Sequence, residues 1–537
     1  MKKHLFFIAA LALGMAACTN EVLTPEDNSE NTTPEQAPSS STTLQTATLS
    51  TFNSSPDRFV VVPQTRDDSP KPLELVAEIT NPSTENRIQG FVKEGRYLSA
   101  TSVFYDAREE VYYATYHMQG NNYNTTETDE TSGFIETFKI DQKGTPSEGS
   151  IIMPADPSNL DFDFNHLYFD DLNSDVEAGD YSGEKETNTR LIAVGHKSEP
   201  SKKENGKPNT AAIIAKINLS ENKIEYSTVL TGEQILDPIN GTTSLGKEDA
   251  GDVNCVIRKH DWYYLATRKG LAILSANTDN LFAPLTNFDN DGAPIEKSVF
   301  FLRTPGSAKH IAHIKHSTSH FAFLYLNQPH PENYDGNYSL PANLISFGMT
   351  DMNGTLCGAN SSDHQTIVNT QDFDITNWSL GINQHTISSV VQPIDGKNTI
   401  FSFSGKTYAC LGKTGLYVRK TGSNIEGPYT DEKTITFSDK EGGSRPVNGV
   451  FVEEPENGFK GYLYVANGAC LTILDPDNEE YPVVAEYSAY DEKDNEHLAS
   501  ANYVHVVRPD ANSPERIITV AYGQEGVKVF KFTPPTR

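Results

Sequence analysis

The chain has 537 residues, and its 43 basic against 72 acidic side chains give a net charge of −29. Acidity spread along the whole chain argues against nucleic acid or an anionic membrane face as a ligand, and leaves casual cation binding as the electrostatic expectation. No 3.6-residue apolar periodicity runs for long between the apolar segments, which points away from helical folds.

The first elements read as targeting signals. Lys2 and Lys3 form a basic n-region, Leu5 to Leu13 an apolar h-region, and small residues lead to Cys18. That pattern is a secretory signal peptide over residues 1–17, too short to be a lasting span. Met15-Ala16-Ala17-Cys18 resembles a bacterial lipobox, in which the cysteine is diacylated and becomes the mature N-terminus; Met15 departs from the usual Leu or Val. A lipid anchor at Cys18 is therefore expected, with the protein in the outer membrane, facing the periplasm or the surface. Residues 18–57 are rich in Thr, Ser, Asn, Pro, Glu and Gln and read as a flexible tether, leaving 58–537 for one folded domain.

The folded part repeats itself. "YLYVANGACLTILD" (462–475) is a strand, a tight Gly turn and a strand, and six other stretches share its form. Three are compact: 263–275, 407–420 and 518–532. Three carry long insertions at the turn, at 118–133, 195–210 and 327–341. Before each hairpin lies another strand-like segment, and aligning these puts Thr101, Asn165, Asn254, Ala312, Ser388, Asn448 and Asn502 in register. Several copies add a fourth run, such as "NKIEYSTVL" (222–230) and "YPVVAEYS" (481–488). Four antiparallel strands repeated seven times predict an all-β, seven-bladed β-propeller, with a pair of β-sandwiches as the alternative.

Ring closure makes a sharper expectation. The last hairpin ends at Phe532, so its outer strand has to come from elsewhere, and "LELVAEIT" (73–80) resembles the outer strand "YPVVAEYS". The N-terminal segment is thus predicted to complete the seventh blade. "FVVVP" (59–63) has no place in this count and is either an extra edge strand or a sign of an eighth blade. "YLYVANGACLTILDPD" resembles the LVIVD-type propeller repeat, and with the lipobox the chain is similar to propeller lipoproteins exported by Bacteroidetes. That resemblance implies fold and location, not an activity.

Little catalytic chemistry is legible. No GxSxG elbow, P-loop, GxGxxG or HExxH is present, nor the Asp-box of sialidases or the repeated GH and WD pairs of WD40 blades. Cys255, Cys357, Cys410 and Cys470 are spaced too widely for a disulfide framework or a CxxC site and read as packing residues. "HIAHIKHSTSH" holds His310, His313, His316 and His320, but on a strand steps of three alternate faces, which spoils a common metal site. Asn287, Asp289 and Asp291 before Gly292 resemble half a calcium loop; Ser298 stands where the bidentate Glu belongs, so calcium is only a candidate ligand beside an ordinary turn.

The remaining candidate is the aligned ring of Thr101, Asn165, Asn254, Ser388, Asn448 and Asn502. It is either a polar cup at the channel mouth for a small ligand, or a set of side chains bonding backbone between blades. The three insertions occupy equivalent turns and so gather on one side of the disc, where binding loops usually sit. The expectation is a non-enzymatic binding module for an envelope protein, a peptide or a glycan. The alternative is a hydrolase or lyase acting on polysaccharide or peptide at the channel mouth.

Overall fold

The computed structural model describes residues 44–535 apart from 64–70, 83–95, 121–132, 156–162, 172–188, 205–206, 229, 237–246, 260–261, 276–284, 289–293, 298, 304–307, 314–319, 327–339, 349–381, 392–399, 404–405, 421–431, 440–441 and 490–498. Cys18 lies outside these residues. Apart from one 3₁₀ turn at Pro56–Arg58, every described regular element is a strand.

Among the described residues, twenty-eight strands group into seven antiparallel units of four. Blade one is Arg96–Asp106, Val111–Gly120, Phe134–Ile140 and Pro146–Pro154. Blade two is Asp163–Asp171, Thr189–Glu204, Lys207–Asn218 and Lys223–Ser227. Blade three is Val253–Lys259, Trp262–Thr267, Gly270–Ser275 and Val299–Arg303, extended in parallel by Thr231–Leu236. Blade four is Ala308–His313, His320–Leu326, Leu340–Gly348 and Ile382–Val391. Blade five is Ile400–Phe403, Lys406–Cys410, Leu416–Lys420 and Glu432–Ile435. Blade six is Val447–Val452, Leu463–Asn467, Cys470–Leu474 and Val483–Ser488. Blade seven is Ala499–Val507, Arg516–Gly523, Val527–Phe532 and, from the N-terminal segment, Leu73–Ile79.

Each innermost strand touches the innermost strand of the next blade, and that of blade seven touches that of blade one. Strands from one blade cannot bury both faces of their own sheet, so the apolar side chains meet between blades. Tyr408, Leu416 and Val418 of blade five cluster with Val450, Leu463 and Val465 of blade six. Tyr464 and Ile473 of blade six cluster with Val504, Val520 and Phe530 of blade seven. Middle strands are therefore buried on both faces, as Leu463–Asn467 and Cys470–Leu474 are throughout, whereas the outer strand Val483–Ser488 is largely exposed. The hairpin loop between those middle strands is Gly468-Ala469, and Gly468 takes φ +54°, a backbone state that favours glycine. The chain is an all-β propeller.

The closure predicted from "LELVAEIT" is present. Leu73 pairs with Phe532 and Ile79 with Val527, so the two ends of the domain share one sheet. Phe59–Val61 then adds to Leu73–Ile79 as an extra edge strand, one of the two places expected for "FVVVP".

The tether boundary at 57 needs correction. Gln45–Asn53 is a strand whose first half pairs with Lys223–Tyr226 of blade two and whose second half pairs with Ser150–Pro154 of blade one. Leu49 is buried there against Ile152 and Ile224. The Thr- and Ser-rich composition that looks disordered is equally suited to an edge strand, because β-branched Thr fits a pleated surface. Just beyond it Arg58 (2% exposed) forks onto Glu136 (0% exposed) of blade one, with Nη1 and Nη2 at 2.7 and 2.9 Å from the two carboxylate oxygens. The same guanidinium donates to the Thr80 carbonyl at the end of the closing strand, and the Ser54 and Tyr116 hydroxyls complete the shell of Glu136. Lys528 and Glu78 add a second ion pair across the seam.

Candidate functional site

The innermost strands share one irregularity. Register shifts fall between Ala100 and Ser102, Phe164 and His166, Val253 and Cys255, Ala308 and His310, Val447 and Gly449, and Ala499 and Tyr503. Each marks a β-bulge, and the extra residues are Thr101, Asn165, Asn254, Lys309 and Asn448, with Asn502 inside the wider shift of blade seven. The aligned polar positions are therefore real structural equivalents in five blades.

Their job is to staple one blade to the next. Asn165 Nδ2 donates to the Val253 carbonyl (2.9 Å), Asn254 Nδ2 to Ala308 (2.8 Å), Asn448 Nδ2 to Ala501 (3.0 Å) and Asn502 Nδ2 to Ala100 (3.0 Å). Every acceptor is the carbonyl just before the bulge of the following blade, and the Asn502 bond closes the ring. In blade one the Thr101 hydroxyl reaches the Phe164 carbonyl at 3.4 Å while lying 2.8 Å from Thr115 Oγ1. Between blades five and six the backbone does the same work, with Gly412 and Val447 exchanging N–H and carbonyl bonds. Thr101, Asn165, Asn448 and Asn502 are buried, so these groups do not form a polar cup open to a ligand.

Two positions were misplaced by sequence alignment. Ser388 lies on Ile382–Val391, the outer strand of blade four, whereas the innermost strand of blade five is Ile400–Phe403. In blade four the bulge residue is Lys309 rather than Ala312, three residues earlier.

The residue after the bulge packs against the innermost strand of the next blade, as the Ser102 hydroxyl does on the Asn165 carbonyl (3.3 Å), and this neighbouring column holds chemistry that the aligned one lacks. His166, Cys255 and His310 occupy this position in blades two, three and four, and their ligand-competent atoms all lie within 4.8 Å of one another. Blades two and four are not neighbours, so these side chains meet only because the channel brings them together. All three are buried, at 7%, 0% and 8% exposure. The His166 and His310 rings are 5.5 Å apart and near perpendicular, and the Cys255 thiol lies 3.7 Å from the Ile311 carbonyl. The equivalent residues elsewhere are Ser102, Gly449 and Tyr503. A Cβ at Gly449 would stand 2.9 Å from the Asn502 carbonyl, which explains the glycine.

Aromatic rings pack around this level: Phe104 against His166 (4.8 Å) and Tyr503 (5.2 Å), and Phe451 against His505 (5.2 Å). Burial raises the Tyr503 hydroxyl pKa. Burial alone pushes His505 down to about 4, so the half-buried imidazole is neutral at neutral pH. An N,N,S set of two imidazoles and a thiol suits a borderline-soft transition ion better than a hard one.

The four-histidine stretch is thus split. His310 joins His166 and Cys255, His313 ends its strand, His320 begins the next, and His316 lies outside the described residues. Asn287 sits on Leu285–Phe288, paired with Ile295 in a short hairpin; Asp289 and Asp291 lie outside the described residues. Cys470 is a buried core residue whose thiol pKa is raised by burial, which bears out the packing role. At the end of the channel where the innermost strands begin, Asp163 Oδ2 is 3.4 Å from His196 Nε2, and His196 packs edge-on to His117 at 5.5 Å.

No protein-family model matches the chain, and no curated protein sequence does. Among solved structures it is similar to the β-propeller domain of Myceliophteria thermophila Cps50 (Swd1), at 8% identity and a TM-score of 0.37, covering 81% of this chain and 97% of that one. It is also similar to the Dos1 propeller, at 9% identity and a TM-score of 0.36 over 80% and 92% of the two chains. The computationally designed Ika8 protein gives 7% identity and a TM-score of 0.35, over 81% and 97%.

Proposed function

We propose that this chain is an exported propeller, lipid-anchored through Cys18 at the outer membrane, that binds an envelope protein, a peptide or a glycan without turning it over. One observation carries the reading. In blade two the hairpin stays paired out to Lys207 and Glu204, while the innermost strand of the same blade stops at Asp163 opposite His196. The hairpin therefore runs on as a two-stranded ribbon past the end of the innermost strand. A rigid, stapled disc bearing an extended ribbon is a scaffold for recognition.

The hydrolase alternative draws support from the two imidazoles that converge on the axis. Against it, Cys255 is fully buried and so offers no accessible nucleophile, and among the described residues no carboxylate joins the cluster to orient its imidazoles. The test is a glycan and peptide array probed with the protein, beside a variant in which residues 199–209 are replaced by a two-residue turn. Loss of at least about tenfold in binding, with melting unchanged and no turnover on a hydrolase panel, is the expected result. Turnover abolished by a channel substitution overturns it. Palmitate labelling lost in Cys18→Ala checks the anchor.

A further inference from the structure

We propose that His166, Cys255 and His310 form a binding site for one thiophilic divalent metal ion of the zinc class, on the propeller axis. Three observations carry this. The ligand atoms come from three different blades yet lie within 4.8 Å of one another, a spread that side-chain rotations of about 1 Å close to a tetrahedral Zn–N and Zn–S shell. All three side chains are nine-tenths or more buried, so the set is enclosed rather than a chance surface gathering. And all three occupy the same position, the residue after the bulge, so a single architectural rule aims them at one point.

The chemistry balances without any other reactant. The Cys255 thiol gives up its proton to solvent and binds as thiolate, and each neutral imidazole donates one nitrogen lone pair. Two nitrogens and one sulfur select a borderline-soft ion over calcium or magnesium, which take oxygen ligands. A water fills the fourth position. The ion ties blades two, three and four together at the axis, adding to the Asn165 and Asn254 staples. The burial of all three ligands suits an ion whose chief effect is to hold these blades together.

The full chain, stripped with chelator and dialysed, is titrated with zinc alone and separately with cobalt as a spectroscopic stand-in. The expected result is one ion per chain with a dissociation constant at or below about 1 µM, and a thiolate-to-cobalt charge-transfer band. Zinc at a hundredfold excess over that constant raises the melting temperature by about 2–3 °C for a chain of this length. Cys255→Ser removes the band and weakens zinc at least about a hundredfold, and His166→Gln does the same, while Cys470→Ser leaves both unchanged. Should a channel variant fold poorly, the cobalt charge-transfer band decides the matter: it persists in a variant whose four cysteines other than Cys255 are all changed to serine, and its loss there overturns the assignment. Absence of stoichiometric binding in the wild type overturns the assignment. So does binding that survives Cys255→Ser and His166→Gln together, which places the ion elsewhere on the acidic chain.

Discussion

Replacing Arg58 with alanine tests whether the N-terminal segment is a fastening or a decoration. The guanidinium makes a two-pronged ion pair with Glu136 and two further bonds to the Thr80 carbonyl, in a site with essentially no solvent. Arg58→Ala leaves Glu136 buried with only the Ser54 and Tyr116 hydroxyls. Breaking one side of a buried pair costs about 3–5 kcal/mol, and under-bonding Thr80 adds about 1. Unfolding entropy near 2 cal/mol/K per residue gives roughly 1 kcal/mol per kelvin for a chain of this length, so a drop of about 4–5 °C is expected in differential scanning calorimetry. Arg58→Met combined with Glu136→Leu removes both charges and should recover most of that loss. Proteolysis of Arg58→Ala should also open the chain between residues 44 and 82 first. A single variant melting within about 1 °C of wild type, or a double variant no better than the single, refutes the clasp.

Asn502→Ala deprives the Ala100 carbonyl of a fully buried donor across the closing seam and should cost about 1–3 kcal/mol by urea unfolding; Asn254→Ala, at a half-buried staple, should cost less. His505, held near 4, stays neutral in the fold while the unfolded chain takes up a proton below about 6.5, so stability is present above that pH and falls between 6.5 and 4. Partial exposure limits the loss to about 2 kcal/mol, and His505→Phe should flatten it in a pH series of denaturant midpoints. Burial is the largest single influence on Lys528 and would lower its pKa, but the bond to Glu78 and the nearby charges of Glu525, Glu78 and Tyr487 together outweigh it and the pKa is raised. The stabilisation it gives is therefore complete below about 10.4 and lost above, and Lys528→Met should lose less than wild type on going to alkaline pH.

The repeat, the closing strand at 73–79 and the packing role of Cys470 were legible because each rests on a local pattern: two apolar runs about a Gly turn, or a shared Val-Ala-Glu. What escaped depended on tertiary partners. Gln45–Asn53 is polar enough to pass for a tether and becomes a strand only because two blade edges lie open beside it. Arg58 and Glu136 are separated by 78 residues, with no motif linking them. His166 and Cys255 are single residues in apolar strands, and their meaning appears only in the column after the aligned asparagines. Reading that column demanded the correct register in blade four, where Lys309 and not Ala312 is the bulge residue.

That adjacency separates two demands that one position could not meet. The bulge residue has its side chain committed to the next blade's backbone, so a polar group able to donate belongs there, and Asn, with its amide donor on a short stem, fits best. The residue after it also touches the next blade, through the Ser102 hydroxyl on the Asn165 carbonyl and the Cys255 thiol on the Ile311 carbonyl, yet its type varies from blade to blade as Ser102, His166, Cys255, His310, Gly449 and Tyr503. The three proposed metal ligands therefore lie in the column whose residue type varies, beside the column whose amide donors recur. The same logic directs any search for chemistry in this fold to the column beside the staples, not to the staples themselves.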